Sequence, residues 1–194
     1  MRRFRLLLFP LLLAAVVAVP TSAGEKKKDD FLIPEVKLGP EHTFLASLAG
    51  TYDANVKFFM DPAKAPTESA GVMTRKMILD GHFLQESFKG TFFGKPFSGL
   101  GTIGYDQTRK KYVSAWCDSM STTISVTHGT HDAANKTFTS VGEEIDRTGK
   151  KLKSRDVLKI VSDEEQLFEM YRQPEGAPSE FKVMEITYKR KKAK

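Results

Sequence analysis

Between Phe97 and Ile145 apolar and polar residues alternate in short extended runs broken by turns. KYVSAWCDS (from Lys111) is followed by TTISVTHGT (from Thr122), a turn over Asp132–Lys136, and TFTSVGEEI (from Thr137). Connections this short allow only antiparallel pairing, because a parallel crossover consumes a dozen or more residues. The same period continues on both sides, in Gly50–Met60, Gly71–Leu79, Phe83–Phe88, Leu152–Ile160, Glu165–Tyr171 and Phe181–Lys189. Asp80-Gly81 and Asp146–Lys150 read as hairpin turns, with Gly149 the natural left-handed residue of the second. Asp61–Ala70, Lys89–Pro96 and Gln173–Glu180 read as connections. Helical periodicity is confined to EHTFLASLA after Pro40, where Phe44, Leu45 and Leu48 form one stripe and Gly50 suits the C′ position. The fold class is therefore all-β: about ten strands in an up-and-down antiparallel barrel, which closes to remove its edges, with one short N-terminal capping helix.

Strand parity separates the faces. Leu152, Ser154, Asp156, Leu158 and Ile160 oppose Lys153, Arg155, Val157 and Lys159, so Asp156 points inward. Tyr112, Ser114, Trp116 and Asp118 share one face of their strand; in Thr137–Ile145 the set containing Glu143 alternates with the set containing Glu144. Aromatic groups mixed with carboxylates and hydroxyls on inner faces suit a cavity with a partly polar lining, since a dry core would exclude unpaired charge. Tyr112, Trp116, Asp118, Glu143 and Asp156 are the expected ligand-binding residues. Trp116, the sole tryptophan, also reads as core. Gly99, Gly101 and Gly104 within one strand point to sharp coiling or to something lying against backbone.

Catalytic patterns are sparse. His128 and His131 are the one close histidine pair and the only metal candidates; zinc needs three or four ligands, and Asp132 and His82 would have to join them. As turn or rim residues they need no metal. His82 reads as a hairpin residue and His42 as a surface residue. No G-x-S-x-G elbow and no glycine-rich phosphate loop before a helix is present. Asp118 with Glu143 could form a carboxylate pair only if folding brings them together. No cofactor is expected, and Cys117, the sole cysteine, reads as a buried residue.

The N-terminus changes how charge is counted. Arg2, Arg3 and Arg5 precede an apolar run from Leu6 to Val19, then Thr21-Ser22-Ala23, the pattern of a secretory signal cleaved after Ala23. The run is short of the roughly 20 residues that span a bilayer. No cysteine adjoins the cleavage point, so a lipoprotein is not expected. The predicted organisation is a signal peptide over 1–23, a polar leader and strap over 24–39, a barrel over 40–190, and a basic tail over 191–194. Of the formal charge of +6, three units belong to the signal arginines. Lys189, Arg190, Lys191, Lys192 and Lys194 crowd the end, leaving the rest slightly acidic. A nucleic-acid binder would spread its excess over a face, so none is expected as a partner.

Five blocks in order carry a family resemblance: Phe97–Asp106 (FSGLGTIGYD), Lys110–Thr122 (KKYVSAWCDSMST), His128–Asp132 (HGTHD), Gly142–Lys150 (GEEIDRTGK) and Phe181–Lys191 (FKVMEITYKRK). Over about residues 40–191 the chain resembles the bacterial domain of unknown function 1579. The resemblance implies a lipocalin-like β-barrel in a short, sometimes exported protein, and it brings no catalytic or ligand residue. Tyr52 stands where a Trp is common, and Cys117 where an aliphatic residue is usual. The expectation is an exported protein, periplasmic or secreted, that binds a small, partly apolar molecule without catalysis. Two alternatives remain open: a hydrolase or isomerase-like enzyme using carboxylate and histidine groups in the cavity, or a solid barrel acting through its surface and basic tail.

Overall fold

A computed structural model describes residues 36–192, apart from Pro62 and Arg147. The expected signal segment, most of the leader and the last two tail residues lie outside the described residues. Helix α1 (Pro40–Ser47) precedes ten strands: β1 (Gly50–Phe58), β2 (Thr67–Ile78), β3 (Phe83–Phe92), β4 (Lys95–Asp106), β5 (Lys111–Asp118), β6 (Ser125–Asp132), β7 (Thr137–Ile145), β8 (Lys151–Ile160), β9 (Glu165–Pro174) and β10 (Phe181–Arg190). Each pairs antiparallel with its sequence neighbour, and β1 pairs with β10 from Tyr52↔Arg190 to Phe58↔Met184, which closes the barrel. No helix among the described residues is long and apolar enough to cross a membrane.

Aspartates staple three of the hairpins. Asp106 Oδ1 accepts from the Thr108 and Arg109 amides, Asp132 Oδ1 from Asn135, and Asp146 Oδ1 from Thr148 and Lys150. Each thereby supplies side-chain turn chemistry where the ladder ends. Strands β3 and β4 run further than their sequence suggests. Gly90 and Pro96, which read as loop, lie in strand, and the reversal occurs at Phe93 and Gly94, both at positive φ. Gly94 is the expected residue for such a turn.

Helix α1 is too short to persist in water by itself. Pro40 opens it, and the Gly39 amide donates to His42 Nδ1. His42, expected at the surface, is consequently buried, with Tyr105 and His82 near its ring. Phe44, Leu45 and Leu48 descend into one end of the barrel, where burial of each contributes about 1.5–3 kcal/mol. The helix ends at Leu48, so Gly50 starts β1 and does not serve as C′. Its exposed carbonyls find partners on the barrel: Tyr52 Oη donates to Leu48 O at 2.9 Å, and Arg190 donates to Ala49 O at 2.7 Å and Ser47 O at 3.2 Å. A guanidinium beside a helix C-terminus is also favoured by the helix dipole.

Beneath the helix Arg75 is almost fully buried. Its Nε donates to Glu86 at 2.7 Å and its Nη1 to Gln166 at 2.7 Å; Gln166 in turn donates to Tyr52 Oη at 3.2 Å. The rings of Tyr188 and Tyr52 lie 4.7 and 5.4 Å from the guanidinium carbon. Breaking such a buried pair strands a charge, at a cost of about 3–5 kcal/mol. Glu86→Gln should therefore lower the urea unfolding free energy by about 3 kcal/mol, and Arg75→Met with Glu86→Leu should recover most of it. A double variant no more stable than Glu86→Gln would show that the pair itself is indispensable.

On the outer face, Glu169 is buried between Lys159, at 2.8 Å, and Lys182. Burial pushes its carboxyl up, but hydrogen bonds from the two lysines outweigh this and hold it at about 2. A pKa depressed on folding gives stability that is complete above the ordinary value of 4.5 and is lost as pH falls toward 2. With Lys159 half-exposed, screening reduces the effect to on the order of 1–2 kcal/mol. Urea midpoints followed through that range should fall less in Glu169→Gln than in wild type; parallel declines would remove Glu169 as the cause.

Candidate functional site

Among the described residues the barrel is filled only at its α1 end. There Tyr112 packs edge-on against Phe44 and Phe138, with Leu84 and Ile103 completing the layer. Beyond this layer lies a cavity of about 460 Å³ that reaches the opposite end, where Met60 and Met120 line it while exposed.

The cavity has two unlike walls. From β10 through β1 to β4 it is apolar, with Met184, Ile186, Val56, Phe58, Met73, Phe88, Phe92 and Phe97. From β5 to β9 it carries Ser114, Asp118, Ser125, Thr127, Ser140, Glu144, Asp156 and Arg172, interleaved with Phe138, Leu158, Phe168 and Met170. Arg75 and Glu86 sit at the deep end of the apolar side.

Trp116 stands where the walls meet. Gly101 is its register partner on β4. A Cβ on Gly99 would overlap Trp116 Cζ2, and one on Gly101 would lie 3.0 Å from Cε3. The indole is therefore laid across these two glycines, with its other face on the lumen. The same device recurs where Phe88 covers Gly71 and Phe138 covers Gly129. The sequence suggested that the glycines bend the strand or admit a ligand; at Gly99 and Gly101 they admit the protein's own tryptophan. Gly104 faces outward beneath the ring of Phe83.

Asp118 lies at the mouth, its Oδ2 receiving the indole N–H at 3.3 Å and its Oδ1 the Met120 amide at 2.9 Å. Arg172 bridges the other two acids of the polar wall, donating to Asp156 at 2.7 Å and to Glu144 at 2.9 and 3.2 Å. Burial pushes the Asp156 carboxyl up, and Arg172 pulls it back only in part. Ser154 faces inward, in register between Gly142 and Arg172, and its Oγ is fully buried with no hydrogen-bond partner among the described residues.

Of the expected ligand residues, Trp116, Asp118 and Asp156 line the cavity. Tyr112 shares the inward face but lies within the packed layer under α1, where burial, Glu41 and Tyr105 all push its hydroxyl pKa up. Glu143 is exposed on the outer face: β7 turns Phe138, Ser140 and Glu144 inward, so the cavity carboxylate is Glu144. The Asp118–Glu143 pair accordingly does not assemble. His128 is exposed on the outside, whereas His131 turns inward and stacks on Phe44, ring centroids 3.6 Å apart. Strand parity places the two on opposite faces, and among the described residues no cluster of three or more His, Cys, Asp or Glu could hold a metal. Cys117, expected in the core, is exposed, because turning Trp116 inward turns its neighbour out. Arg172 was missed in sequence, although Gln166, Phe168, Met170 and Arg172 alternate along β9 as one inward face.

No curated protein matches the chain in sequence. Among solved structures it is similar to Rv2717c from M. tuberculosis, at 15% identity and a TM-score of 0.57 over 80% of this chain and 100% of that one. It is also similar to the S-type phycobiliprotein lyase CPES from Guillardia theta, at 10% identity and a TM-score of 0.58 over 79% of this chain and 94% of that one. At such identities the likeness concerns the fold, a lipocalin-like ten-stranded barrel. Residues 37–190 match a family model, and the chain belongs to the family described as Protein of unknown function (DUF1579).

Proposed function

We propose that this protein binds a small amphipathic molecule inside its barrel and performs no chemistry on it. The observation that carries this reading is the cavity and its lining: a volume of about 460 Å³, mostly apolar from β10 through β1 to β4 and mixed polar and apolar from β5 to β9. Pockets of this size that bury a small molecule are mostly apolar, with a few polar groups setting its orientation. The ligand's apolar side lies against Phe88, Phe97 and Met184, and its polar groups face Ser125, Thr127 and the Arg172 cluster. The setting we propose is outside the cytoplasm, on the strength of the basic, apolar and small-residue succession in residues 1–23.

Native mass spectrometry of protein purified from its own cell envelope should show a co-purifying mass, and an apolar fluorescent probe should quench Trp116 emission as it enters. Trp116→Ala should lose the co-purifying molecule while retaining the circular dichroism of the sheet. Gly99→Ala, which forces the indole off its glycine bed, should weaken probe binding about ten-fold and destabilise the fold by about 1–3 kcal/mol. Protein that carries no mass and takes up no probe overturns the proposal.

A further inference from the structure

The cavity lining is electrically unbalanced. It holds two guanidiniums, Arg75 and Arg172, and four carboxylates, Glu86, Asp118, Glu144 and Asp156. Arg75 is matched by Glu86, and Arg172 already serves both Glu144 and Asp156. No cation of the described residues pairs with Asp118; its partners are the Trp116 indole N–H and the Met120 amide, both neutral donors. An anionic ligand would find both guanidiniums engaged and would meet surplus negative charge. A cation would meet Asp118, an ionisable group whose charge the described residues leave uncompensated, directly beside the lumen-facing surface of an indole. Aromatic faces attract cations, more strongly where water is excluded. Resting on the binding reading above, we infer that the ligand carries a basic nitrogen, an ammonium or amidinium, seated at the mouth between Asp118 and Trp116 with its apolar body in the barrel.

The test uses three ligands with one common chain: decylammonium, decanol and decyl sulfate, each titrated below its micelle concentration by calorimetry and by Trp116 fluorescence. Decylammonium should bind about ten-fold more tightly than decanol, and decyl sulfate the most weakly. Asp118→Asn keeps an acceptor for the Met120 amide and removes the charge. It should bring decylammonium down to the affinity of decanol in the same variant, with thermal unfolding confirming an intact barrel. Equal affinities, a preference for decyl sulfate, or an ammonium preference that survives Asp118→Asn overturns this inference while leaving cavity binding in place. Failure of all three to bind overturns both.

Discussion

One guanidinium is held out of water where the first and last strands meet, and much of the barrel's geometry follows from keeping it satisfied. Arg75 on β2 needs a counter-charge and acceptors, and it takes them from β3 and β9, with tyrosine faces from β1 and β10. Its second-order partner, Tyr52, carries the network on to the C-terminus of α1. The same set of side chains thus spans the closing seam and fastens the cap. Hydrophobic residues of similar shape could fill that space at no loss of stability. A hydrogen-bonded charge, however, tolerates far fewer strand registers than a greasy core, because each alternative leaves it unpaired.

The interior is built by an exchange of volumes between neighbouring strands. Where a large ring must lie flat on the wall, the facing strand supplies glycine, as beneath Trp116, Phe88 and Phe138. The exchange keeps the rings from occupying the lumen. Toward α1, Phe44 and Tyr112 fill what remains, and toward the mouth none of the described residues does. A solid barrel and a hollow one are both reasonable expectations from the sequence, and the molecule is each at one end.

The architecture is legible because a period of two, interrupted by Asp- and Gly-containing turns, is compatible with little besides an antiparallel meander. The strand count, the capping helix with its Phe44, Leu45 and Leu48 stripe, and the inward aspect of Asp156 can all be read from alternation. Boundaries fail where residue identity and position conflict. Gly90 and Pro96 look like loop, yet pairing across the β3–β4 hairpin holds both in strand. Within the site, parity identifies two faces of β7 without showing which is inner, so the sequence points to Glu143 where Glu144 lines the cavity. His42 defies expectation because a ring nitrogen can replace the usual cap, a role that depends on contacts from β4 absent in the linear chain. Arg172 reads as solvated because it adjoins a surface loop, although parity with Phe168 and Met170 turns it inward, where it converges with carboxylates on two other strands.

Closure by β1 and β10 has a bearing on how the molecule comes into being. Every other neighbouring pair is a hairpin that can zip locally, while the seam joins segments from the two ends of the domain. Doubling the loop to be closed adds only about 0.6 kcal/mol in chain entropy, so distance is no great obstacle. Timing is. Until β10 is present, β1 and β9 are open edges, the acceptors above α1 lack Arg190, and Tyr188 is missing from around the Arg75 charge. A nascent polypeptide that has not yet released β10 would be nine strands of adhesive ribbon, so correct folding of this barrel turns on its last strand.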